Sequence, residues 1–283
     1  MKRNISIFFI GLMSFFLFSS KVFAEELQLF SGAAFKKPMD EIVSLYEKKT
    51  GTRVYAAYGS VKTVMSQAIL TKQGDVFVVP SSDIMDKVVK KGVVQRETIK
   101  SFAYAVPVIV VHKGNPKNIK GLKDLLRDDV RFAMANPENV YIGMLAAEIF
   151  DRSLSPGEIS KLQKKVVTYA DDVPKLLSYL ILNQVDAILG FDFMKGWNPD
   201  KTEIVKLKPD EIVRISAGQT GVITYSKNRE RAKEFIDFLL STQGQNIFKK
   251  YGYQASEKEA FNFAGKKLEI GGEPEFSGNW IKQ

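Results

Sequence analysis

Short β-branched runs alternate with stretches of helical spacing along almost the whole chain, and this alternation limits the fold more than any other feature. Strands that alternate with helices make α/β units with mainly parallel sheets. A strand is expected over 27–30, then a helix over about 35–49 whose Phe35, Met39, Ile42, Val43 and Tyr46 share one face, ended by Gly51. A strand over 53–58, a helix over 61–70 capped by Ser60, a strand over 75–79 ended by Pro80, and a helix capped by Ser81-Ser82-Asp83 follow. The apolar run 105–111 reads as a buried strand. After it come a helix near 122–126, a strand over 131–135, a helix after Asn139, a helix over about 172–182 and a strand over 185–189. Strands over 202–207 and 221–225 and helices over 229–240 and 243–249 complete the pattern, and the polar, Gly-rich tail from Gly271 reads as a loosely packed loop. With 283 residues there is enough chain for two lobes that each bury a core.

Composition removes whole classes of chemistry. The chain has no cysteine, which excludes disulfides, thiolate nucleophiles and cysteine-ligated metal clusters. His112 is its only histidine, so a multi-histidine metal site cannot be built, and a serine–histidine hydrolase would depend on that residue alone. No Gly-x-Ser-x-Gly motif occurs to serve it. Residues 1–24 read as a cleaved export signal: Lys2 and Arg3, an apolar run over 5–18, and small residues up to Ala24. The apolar run falls short of the roughly 20 residues that span a bilayer, which argues against an uncleaved anchor. Without a cysteine after it, the product is not a lipoprotein, and a periplasmic location is expected. Loss of Lys2, Arg3 and Lys21 with the signal lowers the formal charge from +9 to +6. A basic protein suits an anionic partner. Export and the scatter of the basic residues in pairs, such as Lys36-Lys37 and Lys249-Lys250, argue against nucleic acid.

Three loops fall where a strand ends and a helix begins: Ser31-Gly32-Ala33-Ala34, Gly59-Ser60-Val61, and the segment from Asn136 to Tyr141. Ligands of open α/β sheets bind at the carboxyl ends of strands, and a helix N-terminus offers free N–H groups and the positive end of a dipole. These loops are therefore candidate anion sites, with Ser31 and Ser60 able to add hydroxyls. The same residues also read as plain helix caps and turns.

The stretch from Leu29 to Phe35 leading into Met39-Asp40-Glu41-Ile42, then Glu47 to Gly51, Tyr58-Gly59-Ser60 and Gly74 to Val78, resembles the periplasmic molybdate-binding proteins of ABC importers. The likeness continues through Val110 to Pro116, Leu122 to Leu126, Arg131 to Glu138, Phe238 to Gln245 and Phe248 to Tyr253, in order over nearly the whole mature chain. The resemblance implies a two-lobed type II periplasmic-binding fold: residues 25–104 with 219–283 as one lobe, 105–218 as the other, and two hinge crossover strands near 103–108 and 217–222. The C-terminal segment is expected to return to the first lobe. It implies a monomer without a cofactor or bare metal ion, and not an enzyme, that captures molybdate or tungstate and hands it to an inner-membrane permease. The implied site residues are Ser31, Ala34, Ser60, Val61, Val140 and Tyr141, with the Val140 N–H among the donors. Departures from the family pattern fall on the same places. Ala34 stands where the family has a hydroxyl residue, Val61-Lys62 follow Ser60, and Gly190-Phe191 stand where it often has a tyrosine. Lys62 is expected to face solvent rather than ligand, and Asp192 to cap the backbone after it. The alternatives are a binding protein for another small anion or organic acid, and an exported hydrolase.

Overall fold

The computed structural model describes residues 26–277 and 280–281; the expected export signal lies outside these. The first sheet is built from β1 (Glu26–Gly32), β2 (Arg53–Gly59), β3 (Val76–Val79), β4 (Lys100–Ala105), β10 (Arg214–Val222) and β11 (Glu269–Ile270). Its order is β11-β10-β3-β1-β2, with β4 also on β10. The second sheet runs β7-β6-β8-β5-β9, from β5 (Pro107–His112), β6 (Phe132–Ala135), β7 (Val166–Ala170), β8 (Ala187–Phe191) and β9 (Thr202–Lys206). Both sheets are mixed rather than mainly parallel. β10 lies antiparallel to β3 and β4, and β5 lies antiparallel to β8 and β9. The physical reason is that β5 and β10 enter from the opposite lobe and so run against the strands they join.

The apolar run 105–111 is not one strand. It breaks at Val106, where the chain leaves the first sheet for the second, because the Val106 N–H and carbonyl both turn to Asp192 instead of to a neighbouring strand. The chain returns through 207–213, between β9 and β10. The expected return stretch 217–222 lies inside β10, already part of the first sheet.

Helices cover the sheets: α1 (Lys36–Thr50), α2 (Val61–Thr71), α3 (Ser82–Lys90), α4 (Tyr141–Ser153), α5 (Pro156–Lys165), α6 (Val173–Ile181), α7 (Phe193–Trp197), α8 (Arg229–Leu240), α9 (Thr242–Lys250) and α10 (Glu257–Ala264). α1 buries Met39, Ile42 and Tyr46 and ends on Gly51 at φ +76°, the left-handed conformation that favours glycine. Besides the five-residue α7, two longer helices went unread in the sequence, α5 and α10. Each carries its own start signal: a Ser155–Glu158 capping box for α5 and a Ser256 cap for α10. The tail is not a loose loop. Its Gly271 N–H donates to the Ile215 carbonyl of β10 at 2.8 Å, and Trp280 is 1% exposed against Phe150 of α4 in the second lobe. No helix among the described residues is long and apolar enough to cross a membrane.

Candidate functional site

Strand register sets the site. Gly32 at the end of β1 pairs with Gly59 at the end of β2, and Ser31 pairs with Val78 near the end of β3, so the three loops that follow leave the first sheet side by side. In the second sheet Ala135 at the end of β6 pairs with Ala170 at the end of β7, which sets the loops to α4 and α6 next to one another. Loops from both lobes enclose a cavity of about 60 Å³. A single water needs about 10–15 Å³. The cavity therefore holds about four to six water-sized groups, the scale of a small anion.

The walls of this cavity are helix starts. Ala33 and Ala34 belong to the 3₁₀ turn Ala33–Phe35, Ser60 and Val61 to the start of α2, Tyr141 and Ile142 to the start of α4, and Asp172 and Val173 to the start of α6. Pro80 closes it from just after β3, Ile84 from α3 and Phe191 from the end of β8. The first N–H groups of each helix have no partner inside the helix, so they and the dipole behind them supply positive potential. The lining contains no lysine or arginine. Its two carboxylates are already engaged: Asp171 pairs with Lys175 at 2.7 Å, and Asp172 caps α6 by accepting the Lys175 N–H at 2.7 Å. Recognition rests on neutral donors.

Of the residues expected from sequence, Ala34, Ser60, Val61, Val140 and Tyr141 line the cavity together. Ser31 does not line it. Its side chain is buried and donates to the Gly32 carbonyl at 3.2 Å. Ser60 caps α2, its Oγ accepting the Thr63 N–H at 3.2 Å and lying 2.8 Å from Thr63 Oγ1. The Val140 N–H is spent on the Asn136 carbonyl at 2.9 Å, which leaves Tyr141 and Ile142 to present the first free N–H groups of α4. The Ala34 carbonyl accepts the Tyr253 hydroxyl. The Tyr141 phenol is buried, its oxygen without a partner, and burial pushes its pKa up, with the Asp83 carboxylate adding to the rise.

The departures at Gly190 and Asp192 have local causes. A side chain at Gly190 would meet Met194 Sδ and displace that side chain, and the Phe191 ring stacks on Phe193 at 5.6 Å. Asp192 is buried beneath the hinge and accepts the Phe193 N–H at 3.0 Å, the cap expected of it. Lys62 is exposed and outside the lining. His112 Nε2 lies 3.0 Å from the Val185 carbonyl. Sequence reading missed Ile142 and Val173. The Asp172-Val173-Pro174 start of α6 carries a cap and an early proline, a signal that could have shown the second.

Two α/β lobes joined by crossing segments, with an anion-sized cavity between their helix starts, define a ligand-binding protein of the type II periplasmic-binding fold. The chain belongs to the bacterial extracellular solute-binding protein family, which matches residues 27–254. It is 29% identical over 249 residues to a Haemophilus influenzae protein whose name gives a binding protein and no ligand, covering 86% of this chain and 97% of that one. It is 25% identical over 253 residues to the molybdate-binding protein ModA of Escherichia coli, covering 87% and 96%. The substrate-binding domain of a molybdenum ABC transporter from Clostridium difficile superposes with a TM-score of 0.64 at 26% identity, over 82% of this chain and 99% of that domain. These relatives are binding proteins and not enzymes.

Proposed function

We propose that this protein captures a tetrahedral oxyanion, molybdate or tungstate, in the periplasm and delivers it as a monomer to an ABC permease of the inner membrane. The observation that carries this reading is the 60 Å³ cavity walled by helix starts from both lobes. Its donors are the N–H groups at the starts of α2, α4 and α6, with the Ser60 hydroxyl. Resemblance to ModA supports the choice of ion. The expected export signal over 1–24 supports the location. Discrimination between molybdate and sulfate, dianions of the same charge and shape, rests on the size of the cavity.

A second reading, a different small anion or an organic acid, is favoured by Ala34 and Phe191. Both line the cavity where the related pattern brings hydroxyls, and neither has one. A thermal-shift screen of the mature chain decides between the two. Ligand at 100 times its dissociation constant adds about 2.7 kcal/mol of stability. Molybdate and tungstate are expected to raise the melting temperature, with sulfate and phosphate far behind. A rise with an organic acid alone replaces the first reading with the second.

A further inference from the structure

The segment after the family match, which ends at residue 254, holds both lobes at once. Gly271 and Gly272 turn it, at φ +70° and +84°, off β11 and along the first lobe. There the Gly271 N–H donates to the Ile215 carbonyl at 2.8 Å, the Gly272 N–H to Ser82 Oγ at 3.3 Å, and Glu273 pairs with Lys87 of α3 at 2.6 Å. Two residues later the chain is on the second lobe. Glu275 lies 3.6 Å from Arg152 of α4, and the Ser277 N–H and hydroxyl donate to Asp151 Oδ2 at 2.6 and 2.8 Å. Trp280 ends the segment, its ring 5.4 Å from Phe150, its Nε1–H donated to Asp151 Oδ1 at 3.1 Å and its carbonyl accepting the Tyr169 hydroxyl at 2.6 Å.

We propose that residues 271–277 and Trp280 form a strap that holds the lobes in their closed arrangement whether or not ligand is present, so that ligand exchange waits on release of Trp280 from α4. The geometry leaves little slack. The backbone anchors, Gly272 on Ser82 and Ser277 on Asp151, lie on opposite lobes, and the five residue steps between them reach only about 17 Å when extended. The anchors are also well placed: α3 and α4 each line the cavity at their first turn and carry the strap further along. Movement of one helix away from the other breaks contacts at one end of the strap. A population held closed binds more tightly, since apparent affinity scales with the fraction of competent molecules.

The test uses the mature chain and three variants, Trp280→Ala, Asp151→Asn and Lys87→Glu. The last two are conservative or exposed changes that keep the test alive if the first does not fold, as judged by circular dichroism. Small-angle scattering without ligand is expected to give a larger radius of gyration for the folded variants than for the parent. The parent's radius is expected to stay the same when sodium molybdate is added. Molybdate is expected to dissociate from the variants about tenfold faster, the factor for one or two lost hydrogen bonds. Folded variants that keep the parent's radius, or a parent that contracts on adding molybdate, overturn the strap. The ligand-free comparison decides the question even if molybdate does not bind, so failure of the strap and failure of the proposed ligand are told apart.

Discussion

Replacing Asp192 by asparagine should remove a pH dependence that this residue alone imposes on stability. Asp192 is buried where the chain passes from the first lobe to the second. Its Oδ1 accepts the N–H groups of Val106 and Phe193, each at 3.0 Å, and its Oδ2 accepts Gln254 Nε2 at 2.9 Å. Burial outweighs these three bonds and pushes its pKa up from 3.8 to about 7. The folded state therefore holds a proton that the unfolded chain gives up near pH 4. Stability tied to this group is fully present below about pH 4 and is lost as pH rises through 7. A difference of about three pKa units at 1.36 kcal/mol each makes the loss about 4 kcal/mol. Asparagine keeps an oxygen for Val106 and Phe193 and does not titrate, and rotation of the Gln254 amide supplies an acceptor for the new NH₂. Tyr253 is the titratable neighbour, its phenol raised by burial and by Asp192 itself. Urea unfolding of parent and Asp192→Asn at pH 4.5 and pH 8 isolates the effect, because the other carboxylates cancel in the difference. The variant should gain about 3 kcal/mol on the parent between the two pH values, since part of the loss has already occurred by pH 4.5. A difference that stays constant to within 1 kcal/mol would show that the carboxylate is ionised in the folded protein and that its bonds outweigh its burial.

Ser60→Ala should cost about 1 kcal/mol of stability through the lost cap and about 1.5–3 kcal/mol of oxyanion binding. Calorimetric titration of molybdate showing equal affinity in mutant and parent removes Ser60 from the site. Glu148→Ala leaves Arg214 buried without its bidentate partner, held at 2.9 and 2.7 Å across the lobes. The expected loss is about 3–5 kcal/mol in urea unfolding, and a loss under 1 kcal/mol would show that Glu269, 3.4 Å from Arg214, takes over the pairing. Gly190→Ala drives a methyl into Met194 and should cost about 1–3 kcal/mol. Adding Met194→Ala should recover part of that in a double-mutant cycle, and simple additivity would mean the two do not touch in solution.

Local chemistry made the helix starts legible. Ser60 can cap α2 because its own hydroxyl reaches an N–H three residues on, and the periodicity of Met39, Ile42 and Tyr46 names the buried face of α1 without reference to anything distant. The same holds for most strands, for the exclusion of thiol and multi-histidine chemistry, and for the three loops that wall one side of the cavity. What was illegible depends on partners far along the chain. The break at Val106 is invisible in an unbroken apolar run, because the group that takes its N–H and carbonyl away from the sheet is Asp192, 86 residues on. The Val140 N–H looked free until the turn brought the Asn136 carbonyl to it. Ser31 looked like a donor to ligand, and its register beside Val78 buries it in the sheet instead. Gly271-Gly272 read as a slack tail, since two glycines favour a turn but do not say what the turn leads to. Only the folded second lobe provides Asp151 and Phe150 for Trp280. Helix starts, strand runs and excluded chemistries are short-range properties and were present in the sequence. The cavity's true donors, the hinge and the strap are pairings between distant residues, and they exist only once the two sheets and their registers have formed.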